Sequence, residues 1–95
     1  MALYFTWDPA KADANVAKHG VAFEEAATVF VDPLARIDFD AEHADHEERW
    51  LMTGWSARRR PLTVWYTEHE DTIRIIGCRK ATRAEQHDYA NRPWP

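Results

Sequence analysis

The stretch IRIIGCRKATRAEQHDY, residues 73–89, decides how this chain folds at its C-terminal end, because a strand in it runs directly into a helix. The apolar run at its start is typical of a strand. Thr82 is a plausible N-cap, and Glu85 three residues later completes a capping box, so we predict a helix over residues 83–91. Four cations lie at this junction: Arg74, Arg79, Lys80 and Arg83. A phosphate group binds well where a strand edge meets the start of a helix.

Three more strands are predicted upstream of this stretch. LTVWYTEH (62–69) forms a hairpin with TIRIIGCR (72–79) across a short turn. RWLMTGWS (49–56) precedes the turn ARRRP, and LARIDFD (34–40) is a strand with a bend. Consecutive strands joined by short turns pair antiparallel, so we expect a meander of four strands.

The N-terminal third of the chain predicts a short strand and two helices. Residues 3–7 alternate as in a strand. Asp8 is a good N-cap, Pro9 suits the first helical position, and Gly20 supplies the left-handed end of the first helix. The second helix runs over about residues 23–30, and the Asp-Pro pair after it prevents continuation.

Two stripes follow helical spacing on the first helix. Small side chains form a predicted packing face: Ala10, Ala14 and Ala17. The other stripe is polar and consists of Lys11, Asn15 and Lys18. Such a stripe is either a solvated face or, through its two cations, a surface that grips phosphates.

The order β-α-α-β-β-β-β-α defines the fold class. Residues 1–95 suit a single domain with one modest core. An antiparallel meander needs helices on one face to close that core. We therefore predict an α+β fold: a small antiparallel sheet of about four strands with an N-terminal strand, two N-terminal helices and one C-terminal helix.

The charge is unevenly distributed along the chain. Residues 1–57 hold 4 basic and 11 acidic side chains, while residues 58–95 hold 8 basic and 5 acidic side chains, within a total net charge of −4. This segregation fits a cationic protein partner on one side and an anion on the other. Ordinary surface variation of an acidic domain is the alternative.

Cysteine use and hydropathy indicate the compartment. Cys78 lies in an apolar strand and has no second cysteine to pair with, which favours a reducing environment. No apolar run approaches the length of a membrane span, and MALYFTWDPA has no basic region followed by an apolar stretch. We expect a soluble, cytoplasmic protein with no membrane contact.

Several patches together closely resemble the BrnT family, the toxins of a bacterial type II toxin–antitoxin system. They are WDPAKADANVAKHGVAFEEAATVF (7–30), DPL (32–34), EERWLMTGWS (47–56) and IRIIGCRKATRAEQHDY (73–89). The resemblance implies a RelE-like fold and ribonuclease activity that inhibits translation. It also implies neutralisation by BrnA, a small DNA-binding antitoxin. We therefore expect this chain not to bind DNA directly without the antitoxin. We also expect no cofactor.

Four positions depart from the family's usual pattern. Ala22 stands where a serine is usual, which removes an N-cap from the second helix at a cost of about 1 kcal/mol. His69 stands where an arginine is expected, and Gly77 with Cys78 replaces a serine–alanine pair. The arginine lost at position 69 weakens an anion site, or the histidine gained there supplies acid–base chemistry near neutral pH.

The chemistry expected of such a toxin is metal-free cleavage of RNA by its own 2′-hydroxyl. Cationic stabilisation of the developing charge usually contributes most to such a rate, so Arg79 and Arg74 are the predicted phosphate clamps. Their planar forks hold two phosphate oxygens. Five positions apart, they share a face only if the strand bends or ends first, and Gly77 allows this. The predicted RNA-binding residues are Lys11, Lys18, Arg83, Lys80 and Tyr89.

Histidine and tyrosine side chains are the acid–base candidates. His69 comes first, followed by His19 and Tyr89, although a turn, a helix end and a helix core are ordinary structural places for these three. His43 and His46 invite a metal interpretation, but their spacing on an acidic loop is weak evidence and we predict no metal site.

Five tryptophans are many for so small a core. Trp7, Trp50 and Trp65 are predicted core residues of strands, and Trp55 and Trp94 are predicted surface residues that stack on bases or on a partner.

Three classes of function remain open at the level of the sequence. The first is a ribonuclease toxin. The second is a catalytically weak or inactive member that binds the antitoxin and acts in autoregulation, with His69 and Gly77 as losses. The third is a generic domain that binds anions through residues 58–83, with salt-dependent binding and no turnover.

Overall fold

The computed structural model describes residues 3–43 and 47–91. Its elements follow the predicted order and confirm the α+β class. In chain order they are β1 (Tyr4–Thr6), α1 (Pro9–His19), α2 (Phe23–Thr28), a 3₁₀ turn (Val29–Val31), β2 (Arg36–Phe39), a second 3₁₀ turn (Ala41–His43), β3 (Trp50–Trp55), β4 (Pro61–His69), β5 (Thr72–Lys80) and α3 (Arg83–Ala90).

The strands form one five-stranded sheet in the order β1-β5-β4-β3-β2. β2 to β5 make the predicted antiparallel meander, and β1 adds a parallel strand beside β5. β1 pairs only with residues 72–74, so the rest of that edge of β5 faces α1. This arrangement leaves β2 as the strand at the opposite edge of the sheet.

The main core lies between one face of the sheet and the two N-terminal helices. Phe23, Ala26 and Val29 pack with the inward side chains of the strands, and Phe30 meets Tyr66 edge to face at 4.9 Å. The inward strand residues are Met52, Leu62, Val64, Tyr66, Ile73, Ile75 and Cys78. We call the side of the sheet that packs against the two N-terminal helices the helix face, and we call the opposite side the open face. Trp7 and Trp50 pack against this core as predicted.

The prediction that the helices share one face is wrong for α3. Its Glu85 accepts a hydrogen bond from Thr63, and Thr63 alternates along β4 with the core residues Leu62 and Val64. α3 therefore covers part of the open face. The capping box of Thr82 and Glu85 is present as predicted, but a local signal of this kind sets where a helix begins and not which face it covers.

The first helix begins and ends as predicted, but its packing face differs. Asp8 accepts a hydrogen bond from the Ala10 amide, and Gly20 adopts a φ of 69° at the helix end. The three alanines of the predicted packing face are exposed: Ala10, Ala14 and Ala17. The buried residue is Asn15, from the stripe predicted to be polar and solvated or phosphate-binding.

Asn15 takes the place of a missing strand beside β5. Its amide nitrogen donates to the carbonyls of Val21 and Cys78 at 2.8 Å each, and its carbonyl oxygen accepts from the Cys78 amide at 3.1 Å. β1 ends before this point, so the backbone of Cys78 would otherwise be buried without partners. Helical spacing in α1 does not show that a backbone group far along the chain requires a hydrogen-bond partner. The predicted packing face of α1 is therefore wrong.

Glu25 in α2 is buried in an ion pair. Its carboxylate accepts two hydrogen bonds from Arg60 at 2.7 and 2.8 Å and one from Ser56 at 2.7 Å. The hydrogen bond from Arg60 is the main reason why the pKa of Glu25 lies below its usual value. Ala22 makes no side-chain cap, and this ion pair ties the first turn of α2 to the β3–β4 turn.

Candidate active site

A β-bulge places the two predicted phosphate clamps on one face. Trp65 pairs with Gly77 and Tyr66 pairs with Ile75, so Ile76 is an extra residue on β5. The bulge reverses the alternation along β5, and Arg74 and Arg79 lie opposite Thr67 and Thr63 of the unbroken β4. Those threonines are four residues apart, which is about 13 Å along a strand. The bend in β5 that a shared site for Arg74 and Arg79 requires is therefore present, beside Gly77.

Trp65 forms the floor of the open face between the two arginines. A Cβ atom on Gly77 would lie 2.3 Å from the indole ring, so only glycine lets the ring lie over the β5 backbone. The guanidinium carbon of Arg79 lies 5.8 Å from the ring centroid, within range of a cation–π interaction. Trp65 is thus half-buried on the open face and not part of the core, contrary to the prediction.

Glu85 holds Arg79 in a bidentate ion pair. The two Nη atoms of Arg79 donate to the two carboxylate oxygens at 2.7 and 3.1 Å, and Thr63 and the Thr82 amide donate to Oε1 at 2.9 and 2.8 Å. Burial raises the pKa of Glu85, but these hydrogen bonds lower it further, to about 2. These hydrogen bonds favour the ionised form of the carboxylate, and its two contacts with Arg79 orient the guanidinium group.

A cleft opens beside this ion pair. It measures about 330 Å³ and is lined by Asp40, Glu42, Arg49, Leu51, Trp65 and Arg79. The Nε atom of Arg49 is buried and has no hydrogen-bond partner among the residues that the structure describes. The cleft therefore combines an aromatic wall, two carboxylates and two guanidinium groups.

His69 shares the open face with Arg74. It pairs with Thr72 and stands two residues from Thr67, the partner of Arg74, so the two side chains are diagonal neighbours at about 7–8 Å. His69 is exposed near the end of the hairpin. It lies six residues along β4 from the strand position opposite Arg79, which is about 20 Å. His69 thus lies at the Arg74 end of the face and not at the Arg79 end.

The other predicted RNA-binding residues lie elsewhere. Lys11 and Lys18 are exposed on α1, about one turn on each side of Asn15. Lys80 pairs with the core residue Leu62 and so belongs by alternation to the helix-face side at the end of β5. Arg83 is exposed as the first residue of α3.

Tyr89 and His19 have structural surroundings. The Tyr89 hydroxyl donates to Asp32 at 2.8 Å, and the same carboxylate oxygen accepts from the Trp55 amide at 2.9 Å. Tyr89 also lines a separate, smaller cleft with Trp55, which is exposed as predicted. His19 is half-buried at the end of α1. Neither residue is part of the Arg79 site.

Two predictions fall outside the part of the chain that the structure describes. Trp94 lies beyond it, and the candidate metal loop around His43 and His46 lies partly in the gap after residue 43. Within residues 3–43 and 47–91 no three histidine, cysteine, aspartate or glutamate side chains come together as a metal site would need. No helix in these two ranges is long and apolar enough to span a membrane.

The sequence missed three residues of the site. The sequence predicts Glu85 only as part of a capping box, although an acidic residue six positions after Arg79, across a strand-to-helix turn, is a usable signal. It predicts Trp65 as a core residue and indicates no role for Arg49. Their positions depend on pairing between distant strands, which local patterns do not encode.

The fold and the open face together define a small α+β protein whose sheet presents arginines and an aromatic side chain. A structural comparison matches the crystal structure of the ribonuclease toxin BrnT from Brucella abortus, with a TM-score of 0.65 and 20% identity over 86% of this chain and 100% of that one. At this identity the likeness shows the fold. No curated protein matches the chain.

The family model described as "Ribonuclease toxin, BrnT, of type II toxin-antitoxin system" matches residues 7–85. The chain therefore belongs to the BrnT family of ribonuclease toxins, as the resemblance in its sequence implied. A toxin of this kind has an antitoxin as its partner.

Proposed function

We propose that this toxin cleaves RNA on the open face, without a metal ion, and that Arg74 and Arg79 bind the phosphates. The observation that carries this proposal is the bulge in β5, which brings both arginines to one face with Trp65 between them. A single RNA strand laid along β5 contacts both cations and stacks on an aromatic ring.

The reaction that suits these groups is attack by the RNA's own 2′-hydroxyl. A base removes the 2′ proton, the 2′-oxygen bonds to phosphorus, and the 5′-oxygen leaves with a proton, giving a 2′,3′-cyclic phosphate and a 5′-hydroxyl. Arginines stabilise the charge that builds on the phosphate. With a pKa of about 2, Glu85 is unsuited to remove the proton, so His69 beside Arg74 is the proposed acid–base group.

The test is cleavage of a long RNA by purified, antitoxin-free protein in EDTA. Because Arg74 is exposed, Arg74→Ala should leave the fold intact and lower the rate by about 10²-fold. Arg79→Ala leaves the Glu85 carboxylate without its ion-pair partner. The Arg79→Ala variant is therefore compared with the double variant Arg79→Ala/Glu85→Gln, which also removes that charge. Arg36→Ala removes an arginine that pairs with Asp38 at the far edge and should cleave normally.

The possible results distinguish the proposed function from its alternatives. Equal cleavage by the wild type, Arg74→Ala and Arg79→Ala would place the chemistry elsewhere or reveal contamination. No cleavage by a folded wild type would favour the second candidate, a catalytically weak member that binds the antitoxin. The ion pair between Arg79 and Glu85 favours that candidate, since it neutralises one clamp.

We further propose that the partner is a basic antitoxin of the BrnA type, and that the pair resides in the cytoplasm. Large apolar side chains are exposed along and before the edge strand β2: Val31, Leu34, Ile37 and Phe39. Acidic residues lie near them in the chain: Asp38, Asp40, Glu42, Glu47 and Glu48. An edge strand with exposed apolar side chains and these acidic residues as a rim suits a basic, amphipathic segment. Glu25, another acidic residue of the N-terminal half, is buried and does not contribute to this surface.

Co-purification with the antitoxin encoded beside this toxin tests that surface. We expect Ile37→Glu to reduce co-elution strongly, because it adds a like charge to the acidic rim and removes apolar area. Val16→Glu is the matched control, since Val16 is an equally exposed apolar residue on α1. Equal co-elution of the two variants would contradict the assignment to β2.

A further inference from the structure

The cleft beside Arg79 has the size and position of a site for one nucleotide. Its volume of about 330 Å³ lies at the small end of the range for ligand sites. Arg79 belongs both to the cleft and to the pair of proposed phosphate clamps, so a nucleotide whose phosphate contacts Arg79 has the cleft within reach of its base. Trp65 forms one wall, and aromatic side chains are the usual platforms for unpaired RNA bases.

The polar groups of the cleft carry a hydrogen-bonding pattern. Arg49 lines the cleft with a guanidinium group, which donates hydrogen bonds only and can serve the acceptors of a bound base. Asp40 and Glu42 bring carboxylates, which accept hydrogen bonds only. The cleft thus presents donors and acceptors that are both charged.

Guanine is the RNA base that matches this combination. Its Watson–Crick edge presents two adjacent donors, N1–H and N2–H, to a carboxylate, and its O6 and N7 accept from an arginine. Adenine and cytosine each place an acceptor beside their amino group, and uracil has one N–H between two carbonyls. Each of these three bases would place a lone pair opposite a carboxylate oxygen.

We propose that this cleft is a base-recognition site for guanine, in which Trp65 stacks on the base, Arg49 donates to its acceptors, and Asp40 or Glu42 accepts from its N–H groups. The proposal rests on the proposed function, because it places the base of a bound RNA next to Arg79. It makes the toxin selective for the nucleotide at one position relative to the cut.

Binding of single nucleotides tests the site without any cleavage. Tryptophan fluorescence and calorimetry would follow titration with 3′-GMP, 3′-AMP, 3′-CMP and 3′-UMP. We expect the wild type to bind 3′-GMP at least tenfold more tightly than the other three. Arg49→Ala should abolish that preference, while Arg36→Ala should keep it. Equal affinities for the four nucleotides, or a preference that survives Arg49→Ala, would overturn the proposal.

A second variant keeps the test decisive if Arg49→Ala does not fold. Glu42 is exposed, so Glu42→Gln should fold normally, and replacing an acceptor oxygen by a donor should weaken 3′-GMP binding selectively. A 3′-GMP affinity unchanged in Glu42→Gln and in Asp40→Asn would overturn the assignment of the carboxylates.

Mapping of cleavage positions separates this inference from the proposed function. A toxin that cuts RNA at every base and binds the four nucleotides equally would refute the guanine site and leave the ribonuclease intact. A protein that prefers 3′-GMP but cuts no RNA would refute the catalytic proposal and retain the site. Cuts confined to one position relative to guanines would support both.

Discussion

Replacement of Glu85 by glutamine should remove much of the acid sensitivity of this protein. Glutamine also completes a capping box, so Glu85→Gln keeps the start of α3 while removing the charge that faces Arg79. The native pKa of about 2 lies below the ordinary value of 4.5, so folding favours the ionised carboxylate. The stabilisation is therefore fully present above about pH 4.5 and is lost as the pH falls toward 2.

The expected loss of stability follows from the size of the pKa shift of Glu85. A pKa lowered from 4.5 to about 2 corresponds to at most about 3 kcal/mol. The side chains of Arg79 and Glu85 are 33% and 25% exposed, so solvent screens the pair and about 1–2 kcal/mol is the better expectation. Glu85→Gln should be less stable than the wild type by this amount at pH 7 and nearly equal to it at pH 2.

Urea unfolding followed by tryptophan fluorescence at low ionic strength, in steps from pH 7 to pH 2, measures this difference. The two free-energy curves should converge in acid. Asp88→Asn is the control, because it removes a carboxylate from the same helix whose side chain is 59% exposed, and its curve should parallel that of the wild type. Parallel curves for the wild type and Glu85→Gln over the whole range would refute the assignment of the ion pair.

Two substitutions and one labelling experiment test the packing around β5. Gly77→Ala forces a Cβ atom within 2.3 Å of the Trp65 ring, so it should destabilise the fold by about 1–3 kcal/mol in urea unfolding and shift the tryptophan emission; an unchanged stability and spectrum would contradict this close contact. Asn15→Ala leaves the buried Cys78 amide and carbonyl unpaired and should cost about 2–4 kcal/mol in the same assay, whereas a loss below about 1 kcal/mol would show that the edge of β5 is satisfied otherwise. Burial raises the pKa of the Cys78 thiol to about 12, so the native protein should resist thiol reagents at pH 8 and react only on unfolding; rapid labelling of folded protein would show that the thiol is accessible.

The candidate site shows how far the sequence could be taken. The sequence identified Arg74 and Arg79 by residue type and by their place near a helix start, and it recognised that a bend was required to unite them. It could not show that the bend is a bulge at Ile76, because a bulge exists only relative to the neighbouring strand. The proposed catalytic roles of these residues remain predictions.

The sequence by itself determined the order of elements, the ends of α1, the capping box of α3, the β4–β5 hairpin and the family. These depend on residues within a few positions of one another, whose caps, turns and alternation act locally. Only the tertiary structure decided which face α3 covers, that Asn15 completes the edge of β5, and that Arg79 is held by Glu85 over Trp65. Those arrangements follow from strand register and from the need of buried backbone and charged groups for partners, and residues far apart in the chain supply the partners.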